Sequence, residues 1–171
     1  MNTNTILGAA LTLTLLSGTA MGGGEVVLLP SLGGNGSVAW DINDGGQIVG
    51  QANLAGDTLA HAVLWENGAA TDLGVWGAPN DLSLAQAINN QGQIVGYSEI
   101  VATGARECVL WAADLSMRNL GQEMGASGSS IPWDINEQGE VCGQAALSPG
   151  FSKGFIWDDA NGGRTEGTVS L

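Results

Sequence analysis

Few residues of this chain have types and spacing that could support chemistry, and the histidine is the first to consider. His61 is the single histidine, and near neutral pH an imidazole can act as a general base or as a metal ligand. At intervals of 46 residues it is followed by Glu107 and Lys153, which share no chemistry with it. No GxSxG, phosphate-loop, HExxH or paired CxxC motif occurs. We therefore expect His61 to be a polar residue at a strand edge, and we predict a protein that is not an enzyme and has no cofactor.

Pairs of acidic residues are the second candidate. Asp41 and Asp44, and later Asp134 and Glu137, are close together in sequence, and hard cations prefer several carboxylate oxygens from one loop. The corresponding stretch between these two pairs has Asn90 and no carboxylate. We expect the acidic residues to have a structural role and predict no metal site. Cation binding remains the alternative.

The six tryptophans could stack on sugars, but most are better explained as core residues. Trp65, Trp111 and Trp157 follow one another at intervals of 46 residues, within segments of alternating apolar residues, which is typical of buried strand positions. Trp76 differs, because it lies in the connection DLGVWGAPND, which has no tryptophan in the other copies. Trp76 is therefore the predicted surface contact for a ligand.

The two cysteines, Cys108 and Cys142, match no metal-binding spacing and are too few for a disulfide framework. Cys142 occupies the position of Val49 and Val95 in the earlier copies, so we predict a buried free thiol. A disulfide between the two cysteines is the alternative if the protein is exported.

The charge of the chain excludes some partners. Its 171 residues include 17 acidic and 4 basic side chains, for a net charge of −13. Such a charge repels phosphate backbones and anionic lipid surfaces, so we expect no nucleic-acid partner. The basic residues are scattered along the sequence and form no cluster.

One sequence of about 46 residues occurs three times, and this repetition must organise the fold. Three sets of residues recur at spacings of 46 or 47. The sets are Asn43, Asn89 and Asn136; Gly50, Gly96 and Gly143; and Trp65, Trp111 and Trp157. Each copy contains four short segments rich in Val, Ile and Trp, bounded by Gly, Asn and Asp, which predicts four β-strands.

The first two strands of each copy are joined by a tetrapeptide that specifies a turn. The tetrapeptides are Asn43 to Gly46, Asn89 to Gly92 and Asn136 to Gly139. Asparagine in first place can bond to the backbone two residues on, and glycine in fourth place accepts the positive φ of a bulge. In the first strand we expect Val38, Trp40 and Ile42 to share one face.

These patterns predict an all-β fold of tandem, four-stranded antiparallel units that resemble propeller blades. The units are expected at about 35–80, 81–127 and 128–171, preceded by a spare strand at 26–34. Three units are fewer than the four to eight of a closed propeller, so we predict an open arc that self-associates or belongs to a longer array. A β-solenoid is the rival architecture, and the hairpins argue against it.

The first 24 residues differ from the rest. Residues 6–20, ILGAALTLTLLSGTA, form an uncharged apolar segment that is too short for a comfortable membrane span and ends in small residues. We predict a signal peptide at 1–24, although MNTNT lacks the usual basic residue. A mature chain without a stable membrane span is expected, and the alternative to a signal peptide is a disordered or strand-forming apolar N-terminus.

The segment SVAWDINDGGQIVGQANLAGDTLAHAVLWENGAATDLG resembles the HAF repeat of bacterial extracellular proteins. The IN and IVG words match in the first two copies, and the tryptophan matches in all three. The triplet that names the family departs from His-Ala-Phe: it is HAV at 61–63, ECV at 107–109 and KGF at 153–155. The resemblance implies an extracellular or cell-surface bacterial protein, and it implies no activity.

Two functions are consistent with these observations. The first is a secreted, non-enzymatic repeat protein with a structural or adhesive role toward an unknown protein or glycan. The alternative is an extracellular module that binds a glycan or a cation through Trp76 or the acidic turns.

Overall fold

The computed structural model describes residues 25–148 and 150–158. The predicted signal peptide at 1–24 and the expected last strand at 164–171 lie outside these residues. The described chain contains eleven strands in three antiparallel sheets and one helix of four residues, so the predicted all-β class is confirmed. The sheets that are described do not close into a barrel or a ring.

Each sheet is formed by strands that follow one another in sequence, because short turns join antiparallel neighbours. The first sheet contains β1 (Gly33–Ile42), β2 (Ile48–Leu54), β3 (Ala60–Glu66) and β4 (Ala69–Gly74). The middle sheet contains β5 (Leu82–Ile88), β6 (Ile94–Ile100), β7 (Ala105–Trp111) and β8 (Met117–Asn119), followed by α1 (Leu120–Glu123). The third sheet contains β9 (Ser130–Ile135), β10 (Val141–Ser148) and β11 (Phe151–Trp157).

The first strand of every sheet contains a bulge, and this corrects the expected alternation of β1. Ala39 pairs with Gly50 and Asp41 with Val49, so Trp40 is an extra residue that interrupts the alternation. The same shift occurs at Gln86 in β5 and at Trp133 in β9. Val38, Trp40 and Ile42 therefore do not share one face, because an inserted residue reverses the alternation beyond it.

The bulge explains the glycine that ends each IVG or VCG word. A Cβ added at Gly96 would overlap the carbonyl oxygen of Leu84 in the neighbouring strand. Gly50 and Gly143 face the carbonyl oxygens of Val38 and Ile131 in the same way. Only glycine leaves room for the backbone of the bulged strand at this distance.

The three sheets stack face to face through two apolar interfaces. The first interface joins one face of the first sheet to the middle sheet, with β5 packed across β1, β2 and β3. The second joins the opposite face of the middle sheet to β9 of the third sheet. Trp65, Trp111 and Trp157 are buried, as predicted for a core position.

The segment before β1 covers part of the first sheet. Residues 25–31 form no strand, and Leu32 makes a single parallel bridge with Leu54, so the spare strand expected at 26–34 is not a separate strand. Instead, Leu29 and Leu32 pack against the cluster of Ala52, Val63 and Trp65, and the indole of Trp65 donates to Pro30 O over 2.7 Å. The indole of Trp111 donates to Leu73 O over 2.8 Å in the middle sheet. The segment therefore covers only the part of this face formed by β2 and β3, and Ile42 in β1 stays exposed.

The cysteines are both free, and only one of them is buried. Cys108 lies in the second interface, whereas Cys142 is exposed, contrary to the prediction. Val49 and Val95, at the same repeat position as Cys142, are buried because another sheet covers their face. No described sheet covers that face of the third sheet. Burial also raises the pKa of the Cys108 thiol, which keeps it protonated.

Thiol labelling of the dilute native protein at pH 8 is expected to modify one cysteine rapidly and the second only after unfolding. The fast thiol is Cys142, since thiolates react and the buried Cys108 stays protonated. Cys142→Ser should remove the fast phase, and Cys108→Ser the slow one. Two fast equivalents, or none after unfolding without reductant, would contradict the structure.

Candidate functional site

The asparagine turns hold each hairpin together and also connect one sheet to the next. The predicted glycines have positive φ: Gly46 at 77°, Gly92 at 76° and Gly139 at 80°. Within the middle turn, Gly92 N donates to Asn89 O over 3.1 Å. The side-chain Oδ1 of Asn89 accepts from Gln91 N and Gln93 N at 3.1 and 2.9 Å. This is the geometry that the turn sequence requires.

The second amide hydrogen of each asparagine is used between sheets. Asn43 Nδ2 donates to Asn89 O over 3.1 Å, and Asn89 Nδ2 donates to Asn136 O over 3.0 Å. Each Nδ2 also donates a hydrogen bond within its own turn, to the side chain four residues later in the sequence. These acceptors are Gln47, Gln93 and Glu140. Asn136 has that local bond to Glu140, and no later turn of this kind occurs among the residues that the structure describes.

The next residue of each turn forms a second series between sheets. Asp44 N donates to Asn90 Oδ1 over 2.8 Å, and Asn90 Nδ2 donates back to Asp44 Oδ2 over 2.8 Å. Asn90 N then donates to the carboxylate of Glu137 at 3.2 and 3.4 Å. A neutral amide thus separates two carboxylates, so the three turns can lie side by side without like-charge contact.

Asn89→Ala is expected to lower the free energy of unfolding by about 1–3 kcal/mol, because two backbone amides lose their acceptor and Asn136 O loses one of its two donors. Gly92→Val should cost more, since a β-branched residue resists positive φ. Urea denaturation measures both. Asn136→Ala should cost less than Asn89→Ala, as it breaks no bond between sheets. The exposed Gln91→Ala is the control, and equal loss in all variants would refute the assignment.

Serines at the start of the first strands provide a third contact between sheets, which the sequence interpretation missed. Ser83 Oγ accepts from Ala62 N over 2.8 Å, and Ser130 Oγ accepts from Cys108 N over 2.9 Å. Ser37 precedes them at the same interval. The spacings of 46 and 47 residues were the signal that could have found them.

His61 is buried, and its imidazole contacts a carboxylate within the first sheet. Its Nδ1 lies 3.0 Å from both carboxylate oxygens of Asp72 in the neighbouring strand β4. Its Nε2 is buried and has no hydrogen-bond partner among residues 25–148 and 150–158. Glu107 and Asn119, at the equivalent positions of the middle sheet, also pair. This repeat position therefore links the third and fourth strands in both sheets, although the residue types of the pair differ.

The acidic turn residues are used as hydrogen-bond acceptors. Asp41 accepts from its neighbour Ile42 N at 2.8 Å and from Ile88 N in the middle sheet at 2.9 Å. Asp134 accepts from Ile135 N at 2.8 Å. Within the described part of the chain, no group of three or more His, Cys, Asp or Glu side chains is placed to hold a metal ion.

The exposed tryptophans are not the one selected from the sequence. Trp76 is half-buried against the first interface, and its backbone N donates to Ser98 Oγ over 3.1 Å. The bulge residues Trp40 and Trp133 are instead 53% and 54% exposed. The sequence pattern places Trp40 on one face with Val38 and Ile42, because the bulge cannot be detected from the sequence.

Apolar residues are exposed at both ends of the stack. The side chains of Val38, Trp40 and Ile42 in β1 are exposed, and Ile42, which lies on the face turned away from the middle sheet, is called the first-sheet patch. The third-sheet patch consists of Cys142 in β10 and Ile156 in β11, which pair with each other. A shallow depression of about 140 Å³ lies there, lined by Asp134, Asn136, Glu140, Val141, Cys142 and Ile156. These exposed apolar side chains are the candidate interaction surfaces of the described stack.

Comparison with known proteins gives no family assignment: no family model, no curated protein and no solved structure matches this chain. Among the residues that the structure describes, no helix is long and apolar enough to cross a membrane.

Proposed function

We propose that this protein is a secreted, non-enzymatic β-repeat protein with a structural or adhesive role, and that it binds its partners through the two ends of the stack. The observation that carries the proposal is the exposure of apolar side chains at both ends of a strongly acidic chain. Water contact with such side chains is unfavourable, and binding a partner removes it.

The use of the repeated polar residues supports a structural role. Asn89, Asn90 and Ser83 bond neighbouring sheets, and His61 bonds a neighbouring strand. These polar groups therefore hold neighbouring sheets and strands together. The resemblance to HAF repeats supports an extracellular or cell-surface location in a bacterium, with propeller-like stacking of the units.

A retention assay tests the adhesive role directly. Beads that carry the purified full chain are washed over three coatings: an alkyl monolayer, a polysaccharide film and immobilised protein of the same sequence. We expect retention on at least one coating and a loss of at least about tenfold for Ile42→Ser combined with Ile156→Ser. Val101→Ser is the matched control, because Val101 is exposed in the turn between β6 and β7. Retention that is unchanged in the double variant would refute the proposal.

Binding of a glycan is the second candidate, and the exposed indoles of Trp40 and Trp133 favour it. A glycan array should then show binding that is lost in Trp40→Ala and Trp133→Ala. Trp76→Phe provides the comparison, since loss of binding in that variant alone would identify Trp76, the residue selected from the sequence, as the contact.

Calorimetric titration with calcium tests the cation alternative, for which Asp44→Asn is the informative variant.

A further inference from the structure

We propose that the two ends of the stack are complementary halves of one interface, so that the third sheet of one copy binds the first sheet of a second copy, head to tail. The inference rests on the proposed interaction role and names its partner as another copy of this chain. The two interfaces inside the molecule provide the template, because the same repeat positions form both.

The apolar contacts that form the two inner interfaces are not made at either end of the described stack. Ile88 and Ile135, which enter the two inner interfaces from the first strand of a sheet, are 6% and 5% exposed. Ile42 occupies the same repeat position in β1 and is 61% exposed. In a head-to-tail pair, Ile42 would be buried as Ile88 and Ile135 are.

The receiving surface is present on the third sheet. Ile88 belongs to one cluster with Val49 and Leu64 of the first sheet, and Ile135 belongs to one with Val95 and Leu110 of the middle sheet. The equivalent residues of the third sheet are Cys142 and Ile156, which line the depression described above. The side chain of Ile42 from a second copy would lie against Cys142 and Ile156, as Ile88 and Ile135 lie against the equivalent residues at the inner interfaces.

The polar half of the template matches as well. Asn43 and Asn89 each donate to the carbonyl of the next asparagine, so Asn136 Nδ2 is placed to donate to Asn43 O of a second copy. Asp44 N and Asn90 N each donate to the side chain of the next turn. Glu137 N can therefore donate to the carboxylate of Asp44 in the second copy.

The serine contact continues in the same way. Ser83 and Ser130 accept from Ala62 N and Cys108 N of the preceding sheet, and Gly154 is the corresponding residue of the third sheet. Ser37 is the corresponding serine of the first sheet, and it already donates to Leu29 O over 3.0 Å. Its oxygen retains the capacity to accept a hydrogen bond from Gly154 of another copy.

The segment before β1 leaves this interface open. Leu29 and Leu32 cover the cluster on β2 and β3, where Val63 and Trp65 lie. The inner interfaces place the first strand of one sheet across the face of its neighbour, and the first-sheet patch on β1 remains exposed. The interface joins different surfaces of the two copies, so it can continue to further copies or close into a ring.

Charge sets the strength of this association. Asn90 separates Asp44 from Glu137 inside the molecule, but the head-to-tail contact places Asp44 of one copy beside Glu137 of the other. Two neighbouring carboxylates repel each other, and each copy carries a net charge of −13. Association should therefore tighten as salt screens the repulsion. Asp44→Asn, which restores the inner arrangement, should tighten it further.

Sedimentation velocity of the full chain over a concentration series, at low and high salt, tests the proposal. Ile42→Glu disables the first-sheet patch, and Ile156→Glu disables the third-sheet patch. Each variant alone should associate at least about tenfold more weakly than the wild type, because a buried unpaired carboxylate is costly. An equimolar mixture of the two should recover a 1:1 pair, since each variant retains the surface that the other lacks.

The controls separate assembly from folding and from net charge. Val101→Glu adds the same charge in the exposed turn between β6 and β7 and should leave association unchanged. Asp44→Asn should tighten association at low salt more than Asp114→Asn, which removes one charge from the β7–β8 turn. Circular dichroism and thermal melts must show that Ile42→Glu and Ile156→Glu fold, as expected for changes at exposed side chains.

Three outcomes would overturn the proposal. A monomer at all concentrations and salts would show that no copy binds another, while retention on a polysaccharide or alkyl surface would leave the adhesive role intact. Association of Ile156→Glu alone, or of Ile42→Glu alone, would indicate pairing of like ends. Failure of the mixture to recover a pair would exclude the head-to-tail arrangement.

Discussion

Gly96→Ala is expected to lower the free energy of unfolding by at least about 3 kcal/mol, although it adds a single methyl group. The added Cβ would overlap Leu84 O in β5, and Gly96 lies in a buried strand at the centre of the middle sheet. Neither the backbone of β5 nor that of β6 can move away without breaking the pairing beside the bulge. Urea denaturation followed by circular dichroism measures the loss.

Gly92→Ala is the matched control, four residues away in the same hairpin. Its φ is also unfavourable for alanine, but the nearest atom to an added Cβ is 3.7 Å away. It should cost only about 1–2 kcal/mol. If Gly96→Ala proves as mild as this control, the close approach at the bulge is wrong.

Trp111→Ala is expected to lower the free energy of unfolding by about 3–5 kcal/mol, because it opens a cavity in the first interface and removes a large apolar area. The Trp111 side chain is fully buried between the first and middle sheets, and its indole donates to Leu73 O over 2.8 Å. Trp111→Phe should cost less, since it keeps most of the packing but leaves that carbonyl without its donor.

Trp133→Ala is the control for this prediction, because its indole is exposed and lies on the bulge of β9. We expect a change of less than about 0.5 kcal/mol in the unfolding free energy of the dilute protein. Similar losses for Trp111→Ala and Trp133→Ala would mean that the two tryptophan positions have been assigned to the wrong environments.

The fold class and the turns could be predicted because they depend on local sequence. Asn89 and Gly92 specify a turn through their own backbone preferences, and the same pair recurs in every copy. The interval of 46 or 47 residues assigned the tryptophans to one environment, and all three are buried. The three copies in one chain could thus be compared with one another, in the way that homologous sequences usually are.

Other features could not be predicted, because they depend on what lies across a sheet. Cys142 has the same place in its strand as Val49 and Val95, and its exposure follows only from the lack of a described sheet on that side. The bulge at Trp40 changes which residues share a face, and it is set by pairing with β2. Trp76 looked exposed in the sequence, yet it packs against the first interface.

The candidate site was predicted only in outline. The count of repeats predicted an open arc that self-associates, but the sequence did not reveal that Asn43, Asp44 and Ser83 belong to contacts between sheets. These contacts join residues 46 or 47 positions apart, or a serine to a backbone amide 21 positions before it. A pattern confined to one hairpin cannot reveal contacts of this kind.

The pairing of every described strand with its sequence neighbours also has a consequence for synthesis. Hairpins form in about 1–10 μs, whereas a ribosome adds 46 residues in about 2–9 s. The first sheet can therefore be complete before β5 exists, because nothing in its pairing depends on later residues. During those seconds Val49 and Leu64 are exposed to solvent, and any partner that reaches the nascent chain meets this face before the middle sheet covers it.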